Sequence, residues 1–283
     1  MMLKFDNYNY TLSQLSQRVE ILYKEGLQKV DRHKMLKNIL SFIDLTTLSG
    51  DDTDKKVADL CNKAISYKNK SEGIPNVAAI CVYPVFADLV SNLLSSSDVK
   101  TACVAGAFPS GQSLLPIRID EVIDAVSNGA QEIDMVISRG KLIEGNSDYV
   151  FKEVVEIKKA CANAHLKVIL ETGELKTIAL IRQASEISIL AGGDFIKTST
   201  GKIQPAATPE AFLIMLDTIN EYYEKTGKMI GIKPAGGISE PEEAILYYLL
   251  VKEILGNKWL SKNYFRIGAS RLADNIYGKI TKK

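Results

Sequence analysis

The sequence predicts an α/β fold, a (β/α)8 TIM barrel with an N-terminal helical extension. Three observations carry that expectation. From Ser41 onward, eight short apolar runs alternate with longer amphipathic stretches, the order expected of parallel strands joined by helices. The runs are rich in Val, Ile, Phe and Cys with little polar alternation, as in strands covered on both faces. The first run leads into "DLTTLSGDDT", which lacks the GxGxxG expected after the first strand of an open doubly wound sheet. A chain of 283 residues fits one barrel, since such barrels commonly run to about 250 residues.

Residues 1–40 precede the first strand. Thr11 and Gln14 make a candidate capping box, Leu12, Leu15, Val19 and Leu22 share a face, and Gly26 reads as a stop. A second helix fits Leu27 to Leu40. Residues 1–40 are expected to pack as a helical extension on a single barrel domain spanning 41–283. The strand candidates are "SFIDLTTL" (41–48), "VAAICVYP" (77–84), "TACVAGAFP" (101–109) and "EIDMVIS" (132–138). They continue with "LKVILETG" (166–173), "DFIKTST" (194–200), "MIGIKPAGG" (229–237) and "YFRIGAS" (264–270). Among the helices, 148–164 places Val150, Val154, Ile157 and Cys161 on one face. The helix over 208–225 opens with Thr208 as N-cap, Pro209 at the first helical position and Glu210 in the first turn. Ser239, Pro241 and Glu242 repeat that signature.

Several function classes lose support. A net charge of +1 supplies no global field for nucleic acid or a membrane surface. No apolar run approaches the roughly 20 residues of a membrane span, and the N-terminus lacks a secretory h-region. A cytoplasmic protein is expected. Cys61, Cys81, Cys103 and Cys161 are widely spaced and read as small buried hydrophobes in a reducing compartment. With only His33 and His165, a His/Cys metal site or a Ser-His-Asp triad lacks material. Polar chemistry then falls to Lys, Asp, Glu, Tyr or backbone groups.

The reaction face of such a barrel is the C-terminal end of its strands. Three charged residues stand inside apolar strands: Asp134 in the fourth, Lys197 in the sixth and Lys233 in the seventh. Alternation puts Phe195, Lys197 and Ser199 on one face and Gly231 with Lys233 on another. These faces are assigned to the interior, since Ile196 and Ile232 suit the helix layer. Neighbouring strands lie about 4.8 Å apart, so two inward lysines would disfavour each other's protonation, and burial acts the same way. A neutral lysine amine is a nucleophile toward carbonyls. The alternative is two lysines that snorkel to solvent. Lys100, Lys167 and Lys202 read in that plainer way, with Lys100, Lys167 and His165 at strand starts on the wrong face. Gly201, Gly236, Gly237 and Gly268 are expected in adjacent loops on one face, either as tight turns or as a phosphate site.

Together, "DLTTL" (44–48), "EIDMVI" (132–137), "LKVILETGEL" (166–175), "DFIKTSTGK" (194–202), "GIKPAGGI" (231–238) and "FRIGAS" (265–270) resemble the deoxyribose-phosphate aldolase family. The similarity covers about residues 40–280. It implies a class I aldolase, a lyase that reversibly cleaves 2-deoxy-D-ribose 5-phosphate to D-glyceraldehyde 3-phosphate and acetaldehyde in deoxyribonucleotide and deoxyribose catabolism. It implies no metal and no cofactor. By motif, Lys197 forms the Schiff base, Lys233 perturbs its pKa and Asp134 joins the proton relay. Thr200, Gly201, Lys202, Gly236, Gly237, Gly268 and Ser270 surround the phosphate, and Asp44 and Thr46 line the substrate site. Arg271 is a candidate for one more phosphate contact. Cys81, inside strand two, is a candidate for reaction with the aldehyde product. The partner expected is a small phosphosugar, with no nucleic acid and no membrane. The N-terminal extension either covers the barrel base or mediates a homodimer. Two other functions remain open to the residues themselves: another lysine aldolase or transaldolase, and a silent phosphosugar-binding regulator.

Overall fold

The computed structural model describes residues 3–70 and 73–281; the extreme ends of the two predicted segments lie outside the described residues. Two helices come first, α1 (Leu12–Leu27) and α2 (Arg32–Ser41). The first half of the barrel follows as β1 (Ile43–Thr46), α3 (Asp54–Lys70), β2 (Ala79–Val82), α4 (Ala87–Leu94), β3 (Lys100–Ala105) and α5 (Leu115–Ser127). Next come β4 (Glu132–Val136), α6 (Arg139–Ile143), α7 (Ser147–Ala160), β5 (His165–Ile169), α8 (Thr172–Leu175) and α9 (Ile178–Leu190). The chain ends with β6 (Phe195–Lys197), α10 (Pro209–Thr226), β7 (Gly231–Lys233), α11 (Pro241–Leu255), β8 (Ile267–Ala269) and α12 (Leu272–Thr281).

The eight strands are parallel and ordered β7-β6-β5-β4-β3-β2-β1-β8. Bridges from Ile232 to Phe265 and from Ala235 to Gly268 join the two ends, and the Gly268 N–H donates to the Pro234 carbonyl at 2.9 Å. The architecture is the expected barrel. Its strands are shorter than the apolar runs because each run continues into the loop above it.

Alternation sorts the strand residues into two layers. Ile43, Leu45, Ile80, Ile133, Val168, Ile196 and Ile232 point outward into the core beneath the helices. On the inside, Ala79, Cys81, Ala102 and Val104 form a small apolar wall. Charged residues occupy much of the remaining interior: Asp44, Glu132, Asp134, Lys167, Lys197, Lys233 and Arg266 are all buried, beside the inward Phe195. This barrel is therefore filled on one side by ion pairs where branched apolar side chains usually stack.

The helix ends match the sequence signals in part. Thr11 and Gln14 form the capping box of α1, and Thr208 caps α10 by accepting the Ala211 N–H at 3.3 Å. Leu15 and Val19 are buried on the helix that packs against α10 and α11. Leu12, expected on that face, is 62% exposed. Gly26 does not stop α1, which runs on to Leu27. A Cβ there would lie 3.1 Å from the Leu249 side chain, so Gly26 allows a close helix crossing. The N-cap of α11 is Glu240, paired with Glu243 in a capping box, and not Ser239. Ser239 lies one residue too early to supply the cap oxygen.

Candidate active site

Lys197 ends β6 and Lys233 ends β7, and the two are direct partners across the strand pair. Asp134, in the middle of β4, reaches across to both. Its Oδ2 accepts from Lys197 Nζ at 2.7 Å and from Lys233 Nζ at 2.7 Å. Its Oδ1 accepts from Lys167 Nζ at 3.0 Å. Lys233 also donates to Asp44, whose other oxygen accepts from Arg266 at 2.6 Å. Arg266 donates to Glu132 at 2.6 and 3.0 Å, and Glu132 accepts from Lys167.

These contacts close a ring of alternating charges: Lys233, Asp134, Lys167, Glu132, Arg266, Asp44 and back to Lys233. Three cations meet three anions, so the ring balances itself. Lys197 hangs on Asp134 outside the ring, a further cation with no carboxylate of its own. Burying an uncompensated charge is expensive, and the pKa shifts follow that asymmetry. Burial, opposed by Asp134 but reinforced by Lys233, brings the Lys197 amine below the usual lysine range. Burial works against the Lys233 ammonium too, but Asp134 and Asp44 outweigh it and hold its pKa high. Burial likewise opposes the Asp134 carboxylate, yet three lysines keep it far below the usual carboxylate range.

The open space lies above this ring. A cavity of about 440 Å³ at the C-terminal mouth is lined by Thr46, Lys197, Thr200, Gly201, Lys202, Gly236, Gly237, Gly268, Ser270 and Arg271, with Thr47, Ser49 and Lys56 on its rim. Lys197 reaches that cavity; Lys167 and Lys233 lie wholly beneath it. Gly201, Gly236 and Gly237 take φ values of +79°, +87° and +81°, which glycine alone adopts readily. No described residue accepts a bond from their backbone N–H groups. Ser270 and Arg271 immediately precede α12, so the positive end of a helix borders the same space.

Several expectations change. Lys167 is not a solvent-directed residue at a strand start; it is fully buried in the barrel, bridging Asp134 and Glu132. Both faces of β5 are covered, so apolar alternation could not tell which way Lys167 points. Gly268 lies within β8 rather than in a loop, where a Cβ would come 3.2 Å from Lys233 Cε. Asp44 is buried under the cavity and is not part of its wall. Cys81 sits on the inner wall, where burial, then Asp134, pushes its thiol pKa up and disfavours the thiolate. Glu132 and Arg266 escaped the sequence reading. Their signal was present, since each shares strand parity with a residue already singled out, Asp134 and Gly268. Among the described residues no His/Cys/Asp/Glu cluster has the form of a metal site.

The profile of the "DeoC/LacD family aldolase" matches residues 38–250. A relative from Caenorhabditis elegans is 46% identical over 255 residues, which cover 89% of this chain and 84% of that protein. Human deoxyribose-phosphate aldolase is 41% identical over 271 residues, 92% of this chain and 85% of its own length. The tetrameric deoxyribose phosphate aldolase of Aeropyrum pernix superposes with a TM-score of 0.70 at 25% identity, covering 92% of this chain and 97% of that one. With the barrel, the buried lysines and the glycine-lined mouth in place, these matches show that the chain belongs to the DeoC/LacD aldolase family.

Proposed function

We propose that this protein is a Schiff-base aldolase that reversibly cleaves 2-deoxy-D-ribose 5-phosphate. One observation carries the reading: of the three buried interior lysines, the one that opens onto the cavity is Lys197, and burial and Lys233 favour its neutral form. The N–H groups of Gly201, Gly236 and Gly237, without an acceptor among the described residues, suit a phosphate, as does the helix end behind Ser270. With the phosphate held there, the sugar's aldehyde points down toward Lys197. Fixing that approach removes several kcal/mol of barrier.

Lys197 Nζ attacks the aldehyde carbon, and loss of water gives an iminium. A base then removes the C3 hydroxyl proton, the C2–C3 bond breaks, and its electrons move into the iminium to form an enamine. Glyceraldehyde 3-phosphate leaves. The enamine takes up a proton at carbon, and water hydrolyses the iminium to acetaldehyde and free Lys197. Asp134 and Lys233 form the proton relay, with a water molecule bridging Asp134 to the substrate. Thr46 lines the sugar portion of the cavity, Lys202 and Arg271 add positive charge to the anion site, and Gly268 lines the same space with its N–H already given to Pro234. The substrate places the reaction in deoxyribonucleotide and deoxyribose catabolism, with a cytoplasmic setting.

Borohydride reduction in the presence of substrate, followed by peptide mass mapping, tests the assignment. A reduced adduct on Lys197 is expected, and Lys197→Ala should abolish both adduct and turnover. An adduct on Lys167 or Lys233 would overturn the role given to Lys197.

A further inference from the structure

The stretch "LETGEL" (170–175) marks this chain strongly, yet it contributes nothing to the charge ring or the cavity wall. Its contacts lead elsewhere. Glu171 follows β5 and is 1% exposed. Its two carboxylate oxygens accept the Thr200 backbone N–H at 3.2 and 3.3 Å, and one of them also accepts the Thr200 hydroxyl. Thr200 Oγ1 in turn accepts the Lys202 backbone N–H at 3.1 Å. One buried carboxylate thus fixes the residue at which the β6 strand turns into the cavity wall. The Thr200 hydroxyl proton is committed to Glu171, so Thr200 shapes the wall and leaves anion contact to its neighbours.

Two further contacts lock the same pair of loops. The Thr172 N–H donates to the Thr198 carbonyl at 3.0 Å. A Cβ on Gly173 would lie 1.9 Å from the Pro205 carbonyl oxygen, so only glycine lets the loops approach this closely. Glu171 itself holds a left-handed backbone at φ +57°, a conformation that persists in non-glycine residues where surrounding contacts over-determine it.

We propose that Glu171 is a positioning residue for the phosphate cradle: it holds the Thr200–Lys202 loop in the shape that recognises the sugar phosphate, without touching the substrate. The proposal rests on the phosphosugar reading above. Glu171→Gln keeps the side-chain volume and removes the charge that strengthens the bonds to Thr200.

The experiment compares this variant with the wild type on 2-deoxyribose 5-phosphate and on unphosphorylated 2-deoxyribose. The readout is the ratio of the two kcat/KM values, with thermal melts to verify folding. The ratio is expected to fall about tenfold through KM for the phosphorylated sugar, while the borohydride adduct still forms on Lys197. Gly173→Ala, which forces the loops apart from the other side of the contact, should lower the same ratio and serves if Glu171→Gln does not fold. An unchanged ratio in a folded variant overturns the proposal, whether both substrates lose equally or neither does. Failure of the phosphosugar reading would look different: the wild type itself would not prefer the phosphorylated sugar.

Discussion

Lys197 and Lys233 occupy equivalent positions on adjacent strands, yet their surroundings favour different protonation states. Lys233 lies between two carboxylates, and Lys197 shares one with two other lysines. Activity that needs a neutral Lys197 should rise with pH through its lowered pKa and level off above it. Lys233→Leu takes a cation out of the ring and leaves Asp134 free to stabilise the Lys197 ammonium. The Lys197 pKa then rises, so the acid limb of kcat/KM should move to higher pH while turnover falls by about 100-fold or more. A pH–rate profile with an unmoved acid limb would refute the argument. Lys167 tests the ring as a structural device. Lys167→Met leaves Glu132 buried with Arg266 alone and should destabilise the fold by about 3–5 kcal/mol. Adding Glu132→Gln should recover part of that loss in denaturant unfolding, since the uncompensated charge is removed.

At the level of elements, β6 and β7 depend on one contact that has no charge in it. Gly231 sits beside Phe195 across the strand pair. A Cβ at Gly231 would fall 2.4 Å from the Phe195 ring, which is fully enclosed by the barrel. Gly231→Ala should therefore cost about 1–3 kcal/mol of stability by overpacking, and the drop in Tm should bring a loss of activity, since Lys233 follows two residues later. The helices were easier to read than the strands. The face set by Val150, Val154 and Ile157 in α7 with Cys161 at its C-cap, and the caps at Thr11 and Thr208, depend on residues within a turn or two of each other. The cap of α11 is Glu240 and not Ser239 because Pro241 takes the first helical position, as Pro209 does after Thr208, so the cap is the residue directly before it.

At the scale of the whole molecule, the interior charges tie folding to pH. Asp44 and Asp134 are held far below the usual carboxylate range; burial opposes their charge, but the lysines, with Arg266 at Asp44, outweigh it. A carboxylate with a depressed folded pKa contributes stability that is fully present above its unfolded pKa of about 3.9. That contribution is lost as pH falls toward the folded value. Tm should accordingly hold steady down to about pH 5 and decline below it. The decline should be shallower in Asp44→Asn, a comparison that melts in a pH series can make directly. The same ring binds distant parts of the chain, since β1, β4, β5, β7 and the approach to β8 each supply a member.

Legible in the sequence were the barrel, the inward Lys197 and Lys233 on neighbouring strands, an inward Asp134, and the glycines of the mouth. Each of these is written in local pattern, or in a charge placed where an apolar residue is expected. Tertiary structure alone decided that Lys167 points inward, that Glu132 and Arg266 complete a balanced ring, and that Glu171 supports Thr200. A strand covered on both faces carries no polar alternation to show which way a side chain points. The partners of these charges lie on strands far apart in sequence, and only closure of the barrel brings them together.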